Sequence, residues 1–212
     1  MPGKFISFEG GEGAGKSTQA KLLKARLEAR GISVVLTREP GGSPGAEQIR
    51  KLLVEGEPDR WTPFTETLLF LAARSDHVAR VIAPALARGD WVISDRFSDS
   101  TLVYQGVARG LGAATVCALQ EAAQNAGAES VVPDLTLVLD LSPEDGLKRA
   151  HTRAGREDRF EKFDAAFHER LRGAFRDIAA AEPIRCALLD AGREADAVAA
   201  DIWRAVEERL KP

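Results

Sequence analysis

Residues 9–18, EGGEGAGKST, constrain the fold more than any other part of this chain. They match the pattern G-x-x-x-x-G-K-[ST] through Gly10, Gly15, Lys16 and Ser17. An apolar, strand-like segment precedes them at residues 4–8, and an amphipathic, helix-like segment follows at residues 19–30. A glycine-rich turn between a strand and a helix directs backbone N–H groups toward an anion. The stretch therefore predicts a phosphate-binding loop; the alternative is a plain strand-to-helix connection.

Lys16 and Ser17 have the side chains that nucleotide chemistry needs in such a loop. A lysine at this position reaches the β- and γ-phosphates, and the serine hydroxyl ligates the Mg²⁺ ion that bridges them. We assign nucleotide binding to Gly10, Gly11, Glu12, Gly13, Ala14, Gly15, Lys16, Ser17 and Thr18. Many proteins share this loop, so the rest of the chain must decide the function.

Size, charge and cysteine content exclude several classes of protein. The chain has 212 residues and no linker rich in Pro, Gly or Ser, so we expect a single domain over residues 1–212. The formal net charge is -3 with both signs interspersed, which argues against nucleic-acid and membrane-surface binding. Cys117 and Cys186 lie far apart, so we expect no disulfide. Without an apolar run of about 18 residues or a signal peptide, we expect a cytoplasmic protein.

Strand-like and helix-like segments alternate along the chain. The predicted strands cover residues 4–8, 32–37, 91–94, 135–141 and 184–189. The predicted helices cover residues 19–30, 46–55, 65–88, 100–107, 113–126 and 143–151, a segment ending near 181, and residues 194–210. Parallel strands need crossover connections, and these place helices on the faces of the sheet. The alternation therefore predicts an α/β fold with a five-stranded parallel sheet and helices on both faces.

Charged residues follow the predicted strands at the edge of the sheet where such folds bind ligands. Arg38 and Glu39 follow the second strand, and Asp95 and Arg96 follow the third. Burying an arginine is costly unless it has an anionic partner. Arg96 is therefore a candidate clamp for a second phosphate, and Asp95 a candidate ligand of the Mg²⁺ water shell. The alternative is an ion pair within each of the two dipeptides.

Phe70 and Arg74 lie one helical turn apart and so share a helix face. An aromatic ring and a guanidinium at this spacing can stack on a nucleobase and bind its carbonyl edge. The alternative is a core phenylalanine beside a solvated arginine. Residues 99–101 and 104–105 add small polar groups and a phenol that can face the same cavity. Their alternative reading is as helix caps and a half-exposed tyrosine.

Three arginines, Arg153, Arg156 and Arg159, lie in a short polar stretch with a glycine. In a mobile loop such arginines can close over a transferring phosphoryl group and exclude water. The alternative is a solvated loop between two helices.

Taken together, these motifs resemble the thymidylate kinase family. The resemblance is carried by residues 5–10, 37–42, 70–74, 95–97, 99–106 and 133–137, which read FISFEG, TREPGG, FLAAR, DRF, DSTLVYQG and PDLTL. It covers essentially the whole chain, in the order of the family. It implies a three-layer P-loop NTPase fold with an arginine-bearing lid at about residues 152–160. It also implies an enzyme that moves the γ-phosphoryl group of ATP to dTMP, giving dTDP and ADP, with Mg²⁺.

The resemblance further implies roles for residues around the acceptor. Arg38 and Arg96 would hold the acceptor phosphate, with Glu39 and Asp95 supporting that region and the metal, and Glu12 would meet the 3′-hydroxyl. For the base, Phe70 would stack on thymine, Arg74 would bind O4 and Thr101 would address the N3 edge. Arg50 and Gln105 would lie nearby, and Tyr104 would crowd the 2′ position of the sugar.

Catalysis and assembly follow from the same resemblance. Lys16 and Arg96 would be catalytic, and because Gly13 stands where some members have a loop arginine, Arg153 and Arg156 would supply the lid charge. Which of the three lid arginines matters most stays open.

The family is generally homodimeric, which would use an apolar helix face within residues 65–86. An ionised phosphate oxygen needs no general base, so we expect the three histidines, His77, His151 and His168, to be surface residues.

Other functions remain as alternatives at this point. Another nucleoside monophosphate kinase or a deoxynucleoside kinase would share the phosphate loop, and the acceptor pocket decides between them. A GTPase-type switch would need an Asn-Lys-x-Asp segment, which this sequence lacks. A regulator with vestigial chemistry would not need the lid arginines together with Arg38 and Arg96.

Overall fold

The computed structural model describes residues 3–125, 131–151 and 158–212. Five strands form one sheet in the order β2-β3-β1-β4-β5: β1 (Phe5–Glu9), β2 (Val34–Arg38), β3 (Trp91–Asp95), β4 (Leu135–Asp140) and β5 (Cys186–Asp190). Each neighbouring pair is parallel. The predicted five-stranded parallel sheet is therefore confirmed, with β1 at its centre.

Helices connect the strands and cover the sheet. They are α1 (Lys16–Glu28), α2 (Pro44–Val54), α3 (Pro63–His77), α4 (Ala83–Ala87), α5 (Ser98–Thr101), α6 (Ala113–Asn125), α7 (Pro143–His151), α8 (Ala165–Ala181) and α9 (Ala195–Leu210). Within the described ranges, no helix has the length and apolar character needed to cross a membrane. The predicted start of α7 is confirmed, since the Ser142 hydroxyl accepts a hydrogen bond from the Asp145 N–H at 3.2 Å.

The predicted long helix at residues 65–88 is a continuous helical path with a π-helical segment inside it. The π-helical segment, Val78–Ile82, joins α3 to α4, and the Ala83 N–H donates to the carbonyl of Val78. Pro84 follows directly and has no N–H to donate. A wider turn at this point is a common response to an interrupted hydrogen-bond ladder. A second π-helical segment, Leu102–Ala108, continues α5.

The side chains of β1 divide between the two faces of the sheet. Ile6 and Phe8 pack in the core with residues of α1 and α9. Phe5 packs on the opposite face, where its ring centroid lies 4.8 Å from that of Phe97. Helices therefore cover both faces, as predicted. Because side chains alternate along a strand, Glu9 lies on the same face as Phe5, in a strand that is buried along its whole length.

Gly13 lets the phosphate-binding loop contact the backbone of α7. Its φ is 67°, and a Cβ atom placed on it would lie 1.9 Å from the carbonyl oxygen of Gly146. A Cβ atom on Gly146 would in turn lie 2.4 Å from the carbonyl oxygen of Glu12. No side chain, and so no arginine, fits at residue 13 without moving the loop away from α7.

Gly13→Ala should therefore destabilise the protein and weaken ATP binding. A left-handed φ with an alanine costs about 1 to 2 kcal/mol before the backbone clash is counted. The measurements are urea unfolding and direct titration with ATP. The matched control is Gly173→Ala on α8, where an added Cβ meets nothing within 4 Å, and it should not destabilise. Equal stability of the two variants would contradict the contact between the loop and α7.

Candidate active site

A cavity of about 850 Å³ lies at the carboxyl ends of β1, β2 and β3. It is lined by nearly all of the site residues predicted from the sequence that the structure describes. These are Glu12, Gly13, Ala14, Gly15, Lys16, Ser17, Thr18, Arg38, Glu39, Arg50, Phe70, Arg74, Asp95, Arg96, Thr101, Tyr104 and Gln105. Gly10 and Gly11 lie behind this lining and accept hydrogen bonds from Lys16. Arg153 and Arg156 lie outside the described residues.

Lys16 is held across the phosphate-binding loop. Its ammonium group donates to the carbonyls of Gly10 at 3.1 Å and Gly11 at 2.7 Å. Burial and the nearby charge of Arg96 lower the pKa of Lys16 to about 8, although Glu12 partly opposes them. The charged group is thus fixed inside the loop where a phosphate would bind.

The side chains of Ser17 and Asp95 bring two oxygen-bearing groups together beside the loop. The Ser17 hydroxyl donates to a carboxylate oxygen of Asp95, so α1 and β3 meet here. Among the described residues, no group of three or more His, Cys, Asp or Glu side chains could hold a metal by itself. Mg²⁺ typically takes one or two protein oxygens and fills its other positions with water and phosphate. The pair fits that ion.

Arg96 connects the loop to the π-helical segment that carries Tyr104. Its guanidinium donates to the carbonyl of Gly10 at 2.9 Å, to Glu12 at 2.8 Å and to the Tyr104 hydroxyl at 2.8 Å. Burial alone would raise the pKa of Glu12, but Arg96 and Lys16 outweigh it and lower that pKa to about 2. The ion pair within Asp95-Arg96, weighed as an alternative, is not the arrangement found.

Arg74 is buried, and part of its guanidinium group is hydrogen-bonded. It donates to Glu39 at 2.7 Å, to the carbonyl of Phe97 at 3.1 Å and to the Thr101 hydroxyl at 2.8 Å. Its Nη1 atom is buried without a hydrogen-bond partner among the described residues. Arg74 is therefore not a solvated arginine, and it lines the cavity one helical turn from Phe70.

Gln105 presents a second unpaired atom. Its amide nitrogen donates to Glu66 at 2.9 Å, which fixes the orientation of the amide, because a carboxylate can only accept. Its Oε1 atom is buried without a partner in the described parts of the chain. Glu66 also pairs with Arg109 at 3.2 Å and with Arg159. Two residues that line the cavity thus each have a buried atom without a partner among the described residues, a donor on Arg74 and an acceptor on Gln105.

Arg38 and Arg50 lie on the cavity rim. The Arg38 side chain is half exposed and pairs with Glu47 at 3.1 Å, so the alternative pairing with Glu39 does not occur. Arg50 donates to the carbonyl of Pro40 at 2.6 Å. The Glu39–Pro40 peptide bond is cis.

The sequence expectations for two histidines were wrong. His77 and His168 are buried rather than on the surface. His77 lies 3.0 Å from Glu39 and 2.6 Å from the Thr37 hydroxyl, so it supports the carboxylate that holds Arg74. The side chain of His151 lies outside what the structure describes.

The expectation that Arg159 lies in a mobile loop was also wrong. It is fully buried and donates to the carbonyls of Leu53 at 3.0 Å, Glu57 at 2.9 Å and Pro58 at 2.8 Å. Because these contacts leave none of its surface exposed, Arg159 anchors the chain and cannot reach a phosphoryl group in the cavity. The open choice among three lid arginines therefore narrows to Arg153 and Arg156.

Several lining residues escaped the sequence analysis. Phe160 lines the cavity, and its ring centroid lies 5.4 Å from that of Tyr104 and 6.2 Å from that of Phe70. Arg149 and residues 191–195 line the cavity beyond the phosphate-binding loop. Gln19 ties α1 to that region by donating to the carbonyl of Ala195 at 2.8 Å. The sequence feature that could have indicated this part of the cavity is Gly192, a glycine just after the last strand.

Glu9 ends β1 directly before the loop and is fully buried. Its Oε1 atom accepts from the Phe97 N–H at 2.8 Å, and its Oε2 atom lies 2.5 Å from the Ser100 hydroxyl oxygen. Burial and the nearby charge of Asp99 raise the pKa of Glu9 to about 8. The other titratable groups that interact with it are Arg96, Lys16, Tyr104 and Cys186. These surroundings therefore favour the uncharged form of Glu9.

Glu9→Gln should change how stability depends on pH. A carboxyl with a raised folded-state pKa contributes stability that is fully present below about pH 4.5 and is lost as pH rises through about 8. Glutamine cannot titrate, so the variant should not lose this stability. The free energy of unfolding of the variant minus that of the wild type should therefore increase from pH 5 to pH 9. Urea unfolding of both proteins across this range measures the difference. A difference that does not vary with pH would contradict a neutral, buried Glu9.

Comparisons with known proteins agree on one family. The family model described as thymidylate kinase matches residues 8–202. The chain is 56% identical over 208 residues to the thymidylate kinase of Caulobacter vibrioides, with 98% of each chain covered. It is 55% identical over 202 residues to that of Dinoroseobacter shibae, with 95% of each covered. A crystal structure of thymidylate kinase from Ehrlichia chaffeensis superposes with a TM-score of 0.76 at 32% identity, over 97% of this chain and 99% of that one.

Proposed function

The chain belongs to the thymidylate kinase family, and we propose how its residues, as a single P-loop kinase domain, transfer the γ-phosphoryl group of ATP to dTMP. The enzyme is an ATP-dependent kinase whose products are dTDP and ADP, in the synthesis of dTTP. One observation carries the choice of acceptor. The buried Nη1 of Arg74 and Oε1 of Gln105 both lack partners among the described residues.

Those two atoms match the base edge of thymine. Thymine presents a carbonyl acceptor at O4 and a donor at N3, whereas cytosine presents a donor at N4 and an acceptor at N3. Arg74 can only donate, and Gln105 offers its oxygen because Glu66 holds its nitrogen. The Thr101 hydroxyl, which already accepts from Arg74, is a second acceptor beside N3. Phe70 stacks on the ring.

The sugar and acceptor phosphate lie between this base site and the phosphate-binding loop. Arg96 and Arg38 hold the phosphate, with Arg50 nearby. Glu12, whose pKa is low, stays an ionised acceptor for the 3′-hydroxyl. Tyr104 donates to Glu12 at 2.7 Å and crowds the 2′ side, which disfavours ribonucleotides.

ATP occupies the other half of the cavity. The loop and Lys16 bind its phosphates, and the adenine ring lies near Arg149 and residues 191–195, which line that end. Ser17 and Asp95 would hold Mg²⁺, which offsets phosphate charge when bound. Glu39 supports the acceptor side through its pair with Arg74.

The chain's own part in the reaction is positioning and charge neutralisation. Lys16 and Arg96 lie on either side of the junction between donor and acceptor and reduce the repulsion between two phosphates. No general base is required, because the attacking phosphate oxygen is already ionised. Arg153 and Arg156 would add charge in the transition state, since Gly13 leaves the loop without an arginine.

Arg96→Ala should raise the KM for dTMP strongly. Losing a buried, charge-assisted contact costs about 2 to 4 kcal/mol, which is tens- to several-hundred-fold. Steady-state kinetics with dTMP varied at saturating ATP measures it. Arg204→Ala, which removes an exposed arginine on α9 that pairs with Asp201, is the control and should leave KM unchanged. If both variants kept the wild-type KM, Arg96 would not bind the acceptor phosphate.

Gln105→Met should weaken selection for thymine while keeping the shape of the side chain. Removing the acceptor for N3–H costs about 1 to 2 kcal/mol, so kcat/KM for dTMP should fall roughly 5- to 30-fold and that for dCMP should not. The ratio of the two values is the readout. The matched control, Gln120→Met, removes an amide that donates to the carbonyl of Ser98 outside the cavity. An unchanged ratio in Gln105→Met would contradict the base-edge assignment.

We also propose a homodimer formed through α3. Phe64 and Leu68 are one turn apart on this helix and expose 47% and 44% of their surface. Leu52 on the neighbouring α2 is exposed as well. Two large apolar side chains on one helix face favour burial against a second copy.

Leu68→Glu should therefore give a monomer, because a charge at the centre of an apolar interface is costly to bury. Size-exclusion chromatography with light scattering measures the mass. Leu22→Glu on α1, where the leucine is 39% exposed, is the control and should leave the dimer intact. A wild-type protein that is monomeric, or a Leu68→Glu protein that stays dimeric, would contradict this interface.

A further inference from the structure

Arg96 has a backbone conformation that residues other than glycine rarely adopt. Its φ is 72°, in the left-handed region, and such a conformation costs about 1 to 3 kcal/mol unless the surroundings hold it. Its own N–H donates to the carbonyl of Phe8 at 2.9 Å, and its carbonyl accepts from the Ser94 hydroxyl at 2.7 Å. These contacts fix one side of the turn.

The carboxyl group of Glu9 fixes the other side. One oxygen accepts from the N–H of Phe97, the residue after Arg96, and the other contacts the Ser100 hydroxyl. Ser100 in turn accepts from the Arg96 guanidinium at 3.1 Å. The Glu9 carboxyl group therefore contacts the turn at two points. One is the backbone N–H of Phe97, and the other is the Ser100 side chain, which also contacts the Arg96 guanidinium.

Glu9 also adjoins the loop at the point that Arg96 contacts. The carbonyl of Gly10, the next residue, accepts from Arg96 at 2.9 Å and from Lys16 at 3.1 Å. Glu9 is completely buried and, unlike Gln105, does not line the cavity, so it is not placed to touch a substrate itself. Any effect it has on the reaction must pass through Arg96 and the loop.

We propose that Glu9 is a positioning residue whose carboxyl group holds the turn at residues 96–100 on the end of β1 and so aims Arg96 at the acceptor phosphate. The inference rests on the proposed function, because that function assigns Arg96 to the phosphate of dTMP. Both carboxyl oxygens are in use, so shape and hydrogen bonding matter more than charge. Glutamine has the same shape and can keep both contacts: its oxygen accepts from Phe97, and its nitrogen donates to Ser100, which reverses the direction of the hydrogen bond that the Ser100 hydroxyl donates to Glu9.

The test compares Glu9→Ala with Glu9→Gln in the full-length enzyme. Removing the carboxyl group leaves a buried N–H unpaired and frees the turn, so Glu9→Ala should raise the KM for dTMP by about tenfold or more. The Kd for ATP, measured by direct titration, should change less than about threefold. Glu9→Gln should keep both values within about threefold of wild type.

Ser100→Ala covers the case in which Glu9→Ala does not fold. It removes one of the two contacts of Glu9, together with the Ser100 contact to the Arg96 guanidinium through which that carboxyl group acts, and keeps the contact with Phe97. It should therefore raise the KM for dTMP in the same direction by a smaller factor, with ATP binding unchanged. Thermal unfolding of each variant reports the folded fraction. A residue that only stabilised the fold would lower the unfolding temperature and the apparent kcat and leave the KM for dTMP as it was.

Three results would overturn the proposal. These are an unchanged KM for dTMP in a folded Glu9→Ala or Ser100→Ala protein, an equal loss of ATP and dTMP binding, and a Glu9→Gln protein as impaired as Glu9→Ala. Failure of the proposed function looks different, because the wild-type enzyme would then not use dTMP. A wild type that uses dTMP, with a Glu9→Ala variant that keeps its KM, contradicts the positioning role alone.

Discussion

The contact of Arg96 with the phosphate-binding loop is the interaction on which the rest of the site depends. Its guanidinium bonds the Gly10 carbonyl and Glu12 in the loop and Tyr104 on the acceptor side. In the proposed function, one side chain therefore sets the relation between the donor half and the acceptor half of the cavity. Phosphoryl transfer depends mainly on such positioning, since little covalent chemistry is left to the protein.

Burying arginines in this way requires acidic partners, and the fold supplies one for each. Arg96 pairs with Glu12, Arg74 with Glu39, and Arg159 with Glu66. Arg96 and Arg74 line the cavity, whereas Arg159 only anchors the chain beside it. Because these dipoles and charges are held by the fold before a substrate arrives, little reorganisation is needed when phosphate charge enters the site.

The sequence predicted the sheet, the phosphate-binding loop and most cavity residues because their signals are local. A strand is a short apolar run, the loop is a fixed motif, and the spacing of Phe70 and Arg74 follows helix geometry. The failures concern residues whose surroundings come from distant parts of the chain. His77 is buried because Glu39 and Thr37 meet it, and Arg159 because of Glu66 and residues 53–58. No local pattern reports such partners, and Phe160 was missed for the same reason.

The central claim is that this cavity selects a thymine nucleotide as phosphate acceptor, and ADP formation tests it most directly. The measurement uses ATP and Mg²⁺ with dTMP, dUMP, dCMP, dGMP, AMP and thymidine offered separately. The account predicts strong turnover with dTMP, weaker turnover with dUMP, which has the same base edge, and little with the others. A purine or dCMP as the best acceptor, or no acceptor-dependent turnover, would contradict it.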